Sequence, residues 1–562
     1  LYKKYVNASN ESEEASKRLR RYKLLRVFLW VLVVIGIIAC AIGVYSLISN
    51  GYTLPMLITA IVGGLIAIAL LIVIFIPVKN KIKILVEESK HKDEFRQKCE
   101  RECYEQISPL YQMFSDEDFL NIVKQSTSIF SLDPVLKPEK LAMFKALYNC
   151  GELFDNDESV TEVSSGDIAT NPFLRFKTYK TSMFNKVYTG SITIHWTETR
   201  RDSDGDLVTV HRSQVLTASV TRPAPMYYTG AYVVYGNEAA PNLSFSRQPC
   251  KLNKDFDEKD VEKYVKKVSK DMIKLSQDSI EKGGSFQIMG NEKFEALFGC
   301  TDRNNEVEFR LLFTPLAQTN MVDLILQKEP YPDDFVFVKR NKLNIICSEH
   351  AKHKDFSESQ IGKILSGEEM RTNFIDLISQ HFASLFFELA PILCIPLYQL
   401  TEAGKFDPKQ CSNVSSYEAE SVCNLMDHSR FAHPETCTSQ ILKARYKSSI
   451  GKTDIYDIES HSYREDHYVE NVSVMGGDGR LHIVPVPYSE FVPLVNTTPI
   501  AVKQFDNDAF ALKKFARNFD SQHVGTTWRR RVMSFFYDKN YSEAEDSKIE
   551  KEENDFISNL NS

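Results

Sequence analysis

Residues 27–50 read VFLWVLVVIGIIACAIGVYSLISN and residues 54–78 read LPMLITAIVGGLIAIALLIVIFIPV, with only Gly51, Tyr52 and Thr53 between them. Neither run contains a Lys, Arg, Asp or Glu. A charged side chain at the centre of a bilayer-spanning helix costs about 2.5 to 3.5 kcal/mol. At about 1.5 Å of rise per residue, each run is long enough to cross a hydrocarbon core of about 30 Å. The pair predicts a transmembrane helical hairpin, and the rest of the chain is organised around it.

The flanks orient the hairpin. Lys17, Arg18, Arg20, Arg21, Lys23 and Arg26 precede the first run and Lys79, Lys81 and Lys83 follow the second, whereas the connection has no basic residue. Cytoplasmic loops carry the excess of Lys and Arg, so both termini are expected in the cytoplasm of a cell (inner) membrane. The first run is too long for a signal-peptide core and meets a second run with no mature segment between, which predicts retention. Ala39 and Gly43, Ala60 and Gly64, and Gly63 and Ala67 lie four apart, a spacing that lets helix backbones approach closely. Packing within the hairpin is the simpler use of them, and assembly with another membrane protein is the other.

At 562 residues, the chain is long enough for two to four units beyond the hairpin. Hydrophobic residues make up 43% and charged residues 25%, an ordinary globular balance, and a net charge of -7 argues against a nucleic-acid binder. Eleven cysteines occur without a repeated spacing, so no disulfide framework is expected. The first residue is Leu1 rather than Met, so a start upstream of it is expected.

Residues 79–107 are rich in helix formers and extend the second run as a stalk, with Ile82, Leu85, Val86, Phe95, Cys99 and Cys103 as a broken apolar stripe. Ser115-Asp-Glu-Asp118 reads as a helix start, and residues 139–148 as a helix closing at Gly151. From Val187 to Val234 the chain is dense in Thr, Val, Ile and Tyr with period-two alternation, which predicts an antiparallel sheet. Asp202-Ser-Asp-Gly-Asp206 sits between two such strands. A calcium loop of the EF-hand kind needs Gly and Glu where this chain has Leu207 and Ser213, so a hairpin turn is expected.

Residues 257–282 carry Val261, Tyr264, Val265, Val268, Met272 and Leu275 at helical spacing, opposite Lys266, Lys267 and Lys270. Then come a strand at 286–289, a helix at 291–298, a strand at 306–314, a helix to Gln327, and strands at 333–339 and 342–347, an α+β alternation. Residues 374–397 could pass for a third span. Asp376, Gln380, His381 and Glu388 interrupt them, and Pro391 and Pro396 would break their end, so a buried core helix is expected. Residues 454–502 are strand-rich with a turn at Met475-Gly-Gly-Asp-Gly479, and the tail after Tyr541 has a disordered composition.

The basic-flanked hairpin is followed by Gly290-Asn-Glu-Lys-Phe-Glu-Ala-Leu-Phe298, then Glu306-Val-Glu-Phe-Arg-Leu-Leu-Phe-Thr-Pro315, then a helix and two strands ending at Cys347. This combination resembles an uncharacterised bacterial family of membrane-anchored proteins with a domain of unknown function. The resemblance implies a bacterial origin and an α+β cytoplasmic domain, and it carries no activity.

Catalytic fingerprints are sparse. Gly451-Lys-Thr453 matches the end of a phosphate-binding loop, but the earlier glycine that the loop needs is Tyr446. No nucleophile elbow, zincin helix or kinase signature occurs. Cys411, Cys423, His428, His433 and Cys437, with Cys347, His350 and His353, are the residue types zinc prefers. They lack the close cysteine pair of a structural site, so cysteines packed as small apolar groups and solvated or capping histidines are expected instead. Trp528-Arg-Arg-Arg-Val-Met-Ser-Phe-Phe536 could attract an anionic membrane surface, and an amphipathic helix docked on the last domain is the simpler expectation.

The fold class read from the sequence is a membrane-anchored α+β protein: a transmembrane helical hairpin, a helical stalk, then mixed antiparallel-sheet and helix domains. Its divisions are a basic segment at 1–26, the hairpin at 27–78, stalk and linker at 79–170, α+β domains at 171–350 and 351–540, and a charged tail at 541–562. The expected partners are the lipid bilayer and a protein, with no nucleic acid. No catalytic, cofactor-binding or metal residue is assigned and no cofactor is expected. A scaffold or binding module is the function expected, and a membrane-tethered enzyme with a dispersed site, metal-dependent or otherwise, is the alternative.

Overall fold

The structure is a computed structural model. It describes residues 1–50, 61, 65, 68–112, 116–133, 136, 138–148, 150, 152–201, 206–252, 255–353, 364–404, 414–451, 453–504 and 532–537. The chain forms two compact units, Leu1–Phe114 with Phe356–Ile378, and Ser115–Asp355 with Ser379–Ser562.

In the first unit, α1 (Tyr2–Asn50) is a single helix of 49 residues, about 70 Å long. The second apolar run ends in a π-helical turn, Ile74–Val78, that leads without a break into α2 (Lys79–Gln112). Pro77 explains the turn: it has no N–H to donate and its ring needs room, so the helix widens there. The two helices run antiparallel. Lys4 meets Glu102 at 3.3 Å, Glu11 meets Lys92 at 3.7 Å, and the rings of Trp30 and Phe75 meet edge to face at 6.2 Å. The seam is lined by Ala8, Ser12 and Ala15 on one helix and Leu85, Cys99 and Cys103 on the other. Small residues at the seam let the backbones close up, and Val86 and Phe95, expected on the buried stripe, are exposed. Helix α2 thus continues the second apolar run, as expected, and packs along α1 as a helix pair.

Among the described residues, no helix is long and apolar enough to cross a membrane. Residues 51–60, 62–64 and 66–67, inside or between the two apolar runs, lie outside the described residues.

The second unit is built on two antiparallel sheets. The larger has the order β1-β2-β3-β4-β7-β6-β5, with β1 (Phe130–Leu132), β2 (Glu158–Ile168), β3 (Asn171–Arg201), β4 (Leu207–Gly236), β5 (Ser244–Arg247), β6 (Phe335–Arg340) and β7 (Leu343–Ser348). The smaller has the order β11-β10-β9-β8, with β8 (Ile441–Ile450), β9 (Thr453–Met475), β10 (Leu481–Gln504) and β11 (Val532–Phe536). The mixed α+β class with antiparallel sheets is as expected. The larger sheet nevertheless draws β1 and β2 from 79–170, read from sequence as stalk and linker. Buried residues Val160, Val163 and Ile168 of β2 do not alternate strictly with polar ones, so period two is weak there.

The strand expected at 306–314 is a helix, Glu306–Leu312, and 286–289 forms no strand. The Asn305 side chain accepts from the Glu308 N–H at its start, and Thr314 caps the next helix, Pro315–Ile325, with Pro315 in its first turn. Phe309, Leu312 and Phe313 then face inward while Val307 and Leu311 face water. Capping outweighed the apparent alternation. Helix Glu258–Glu281, expected at 257–282, starts at a capping box of Asp257 and Asp260, and Leu275, expected on its buried side, is exposed. Residues expected as a core helix lie in Gly367–Leu393, which holds Pro391 inside it and ends before Pro396.

Helix Ser416–Cys423 packs on β2 and β8 and joins the two sheets. Its buried Glu420 accepts from the Val160 N–H of β2 at 3.0 Å and the Ala444 N–H of β8 at 3.2 Å, and pairs with buried Lys443 at 3.1 Å. A carboxylate so placed satisfies backbone donors that a sheet edge would otherwise leave unpaired.

Candidate interaction surface

The longest strands determine what this unit presents. β3 pairs with β2 only as far as Lys180, and β4 with β7 only from Tyr232. Beyond those points β3 and β4 have, among the described residues, only each other as strand partners, in unbroken register from Thr181↔Tyr227 to Arg201↔Leu207. The resulting two-stranded ribbon projects about 66 Å at about 3.3 Å per residue. β9 and β10 form a second ribbon past His461, where β8 stops pairing, running to Met475↔Leu481.

The ribbons stack face to face. Ile194, Leu216 and Val484 are buried between them, with Ile192, Trp196, Ala218 and Val474 packed around. Arg222 of the first ribbon reaches Glu470 of the second at 2.5 Å and covers the ring of Tyr488 at 4.8 Å. Gln214 accepts from the Gly477 N–H at 2.7 Å, which ties the tip of the second ribbon to the first. Isolated two-stranded ribbons are marginal in water, and stacking supplies the missing core.

The outer faces differ. On the first ribbon Thr189 stands opposite Ser219, Ser191 opposite Thr217 and Thr199 opposite Thr209, interrupted by exposed Val187 and Val215. The outer face of the second ribbon exposes Val469, Met475, Leu481 and Ile483. The Asp202 to Asp206 turn lies mostly outside the described residues, and its flanks, Arg201 and Leu207, pair as a hairpin requires.

The zinc candidates do not converge. Cys423 is fully buried in the core under the smaller sheet, and Cys437 is exposed with its Sγ 3.2 Å from the Tyr463 carbonyl. His428 bonds the Asn424 carbonyl at 3.1 Å, His433 accepts from the Glu435 N–H at 3.2 Å, and Cys411 lies outside the described residues. Cys347 is on β7, and burial raises its thiol pKa. Among the described residues, no three His, Cys, Asp or Glu residues are grouped to hold a metal. Gly451 adopts φ +59 in the tight turn between Ile450 and Thr453, which makes that stretch a hairpin corner rather than a phosphate loop. Val532–Phe536, expected in an amphipathic helix, is strand β11, because its residues complete the edge of the smaller sheet beside Ile500 to Gln504. Trp528 to Arg531 and the tail after Tyr541 lie outside the described residues.

One constellation escaped the sequence reading. His350, with His353 on the same short turn, directs Nδ1 at Asp334 at 2.8 Å and Nε2 at the Ser384 carbonyl at 3.3 Å, and its ring stacks on Tyr331 at 4.0 Å. It has the outline of a Ser-His-Asp relay without its chemistry. The Ser384 hydroxyl bonds Glu388 at 3.4 Å rather than the His350 ring, which meets only the Ser384 carbonyl, so the serine is not aligned as a nucleophile. Glu388 is held by buried Arg175 through two bonds of 2.5 and 3.0 Å. Lys339, buried on β6, donates to the Ala239 carbonyl at 3.1 Å, and burial pulls its pKa down to about 7. The cleft of about 510 Å³ at the β6–β7 turn is lined by Tyr148, Cys150, Arg340 and Lys342, and not by Lys339. In that cleft burial pushes the Cys150 thiol up to about 11, the wrong direction for a nucleophile.

No protein-family model matches this chain, and no curated protein or solved structure matches it either.

Proposed function

We propose that the chain is a multi-pass protein of a bacterial inner membrane, with both termini cytoplasmic, whose α+β region is a scaffold or binding module for a protein partner. One observation carries the membrane reading. Val27, Phe28, Val31, Val34, Ile35, Ile37 and Ile38 are all exposed, and at 100° per residue they make one half of the helix surface apolar over 27–38, a stretch with no charged residue. On the return run Ile61, Leu65, Ile68, Ile72, Phe75 and Ile76 are exposed as well. An apolar band of this extent is costly in water and matched to lipid. The antiparallel pairs Lys4–Glu102, Glu11–Lys92 and Trp30–Phe75 all have sequence midpoints near Tyr52, which supports a hairpin with its connection on the far side.

A binding role is favoured over catalysis because the perturbed groups, Lys339 and Glu420, are spent inside packed cores, whereas exposed apolar side chains gather on the ribbons. The test is topological. A reporter fused after Ser562 is expected to be active only in the cytoplasm, and Tyr52→Cys is expected to react with an impermeant maleimide in intact cells. Labelling that requires permeabilised cells overturns the orientation, and recovery of the full chain in the soluble fraction overturns the anchor.

A further inference from the structure

We infer that the free edge of β3 is a self-recognition site, at which residues 183–201 of two copies of this chain pair antiparallel about Ile192. The inference is independent of whether the hairpin enters a bilayer.

The direction of the backbone groups is settled by the base of the ribbon. Thr181 donates its N–H to the Asp157 carbonyl, away from β4, so odd-numbered residues of β3 turn their N–H and C=O groups outward. From Met183 to Arg201 these groups form an open row without a strand partner among the described residues. The other three ribbon edges are guarded. On β4, Pro223 and Pro225 fall in the outward phase. On β10, Pro485, Pro487 and Pro493 share one phase, and the outward sense of that phase follows from the Tyr537 N–H meeting the carbonyl of Pro499. Proline removes the donor that a docking strand needs. Tyr463 on the β9 edge already bonds Cys437 and Thr438, and the edge beyond it carries Glu465, Asp466 and Glu470. β3 has no proline after Pro172 and one carboxylate, Glu198. β10 lies over β3 and β4 while β9 lies toward β4, which leaves the β3 edge without a covering strand among the described residues.

The occupant is a second copy because the segment complements itself. Full overlap of 183–201 with its symmetry mate places Ile192 on the two-fold axis, Lys186 opposite Glu198, Tyr188 opposite Trp196, and Gly190 opposite Ile194. Opposite charges and aromatic pairs directly across an antiparallel pair are stabilising. Each occurs twice in the dimer. Lys186 lies over the Tyr188 ring at 4.8 Å, and Glu198 is held 3.3 Å from exposed Arg212 at the open end of the ribbon. A shift by two residues in either direction loses the Lys186 to Glu198 pairing.

The test uses the full chain in nanodiscs or mild detergent, with mass measured by light scattering across a concentration series. A monomer–dimer equilibrium is expected. Thr193→Pro removes one outward N–H without touching the β4 ladder and is expected to give monomer. Lys186→Glu and Glu198→Lys are each expected to weaken the dimer about tenfold, and the double swap to restore it. Ile192 faces its mate as a non-hydrogen-bonded pair at about 4.5 Å between Cα atoms, within disulfide range. Ile192→Cys is therefore expected to crosslink under copper phenanthroline, and His195→Cys, about 20 Å from its mate, is not. A chain that stays monomeric overturns the inference, as does a dimer indifferent to Thr193→Pro. A double swap no tighter than the single ones, or equal crosslinking at 192 and 195, overturns the register.

Discussion

Gly190 of β3 lies against Pro485 of β10 so closely that a Cβ at 190 would overlap the Pro485 carbonyl oxygen. The glycine is there for interlayer distance and not for a turn, since it sits in continuous strand register with Ala218. It is the point at which the two ribbons touch backbone to backbone.

Gly190→Val is expected to push the ribbons apart. Overpacking of this kind costs about 1 to 3 kcal/mol. Because the base of each ribbon is held in its own sheet, the loss should appear as faster amide exchange in 183–225 and 462–494 with little change elsewhere. Uniform exchange across the whole unit would show that the stack is not a separable element.

Arg175 and Glu388 form a buried pair between β3 and the helix Gly367–Leu393. Removing one partner leaves an uncompensated charge in the core, at a cost of about 3 to 5 kcal/mol, whereas replacing both with apolar residues costs less. In urea titrations, Arg175→Met is expected to lower the unfolding midpoint more than Arg175→Met with Glu388→Leu. Additive losses would mean that the pair is not coupled.

Lys339 has a folded-state pKa of about 7 against an ordinary 10.5. With the folded value depressed, the folded protein is penalised wherever the unfolded chain holds a proton that the amine cannot keep. Stability should therefore rise with pH from about 7 to 10.5, and Lys339→Met should raise the Tm at pH 7 and flatten that slope. A lowered Tm would show that the bond to Ala239 outweighs desolvation.

Glu418 runs the other way. Burial lifts its carboxyl to about 7 from 4.5, even though it accepts from the Ser415 N–H and hydroxyl, and nearby Asp454 adds to the lift. A raised folded value gives stability that is full below about pH 4.5 and lost as pH rises through about 7. Glu418→Gln is expected to reduce that decline, measured as Tm between pH 4.5 and 8. An unchanged slope would place the titration elsewhere, with buried Glu420, raised mainly by desolvation, the next group to replace.

The local features were legible in the sequence because their causes are local. The spacing of Val261, Val268 and Met272 marks a helix, Met475-Gly-Gly-Asp-Gly479 marks a hairpin tip with Gly479 at φ +76, and alternating Thr, Val and Ile mark β3 and β4. The misread stretch at 306–314 shows the limit. Glu-Val-Glu-Phe-Arg alternates as a strand would, and only the caps at Asn305 and Thr314, together with burial of Phe309, Leu312 and Phe313, make it helical.

What the sequence by itself determined about this protein is where the chain is free of charge, where it alternates and where it turns, since each depends on neighbours within a few residues. What only the tertiary structure decided is which elements meet: Lys4 with Glu102 along the helix pair, Glu420 between two sheets, and Gly190 under Pro485. Those contacts join residues from tens to hundreds of positions apart. They are selected by the closure of cores and the satisfaction of buried backbone groups, which no local pattern encodes.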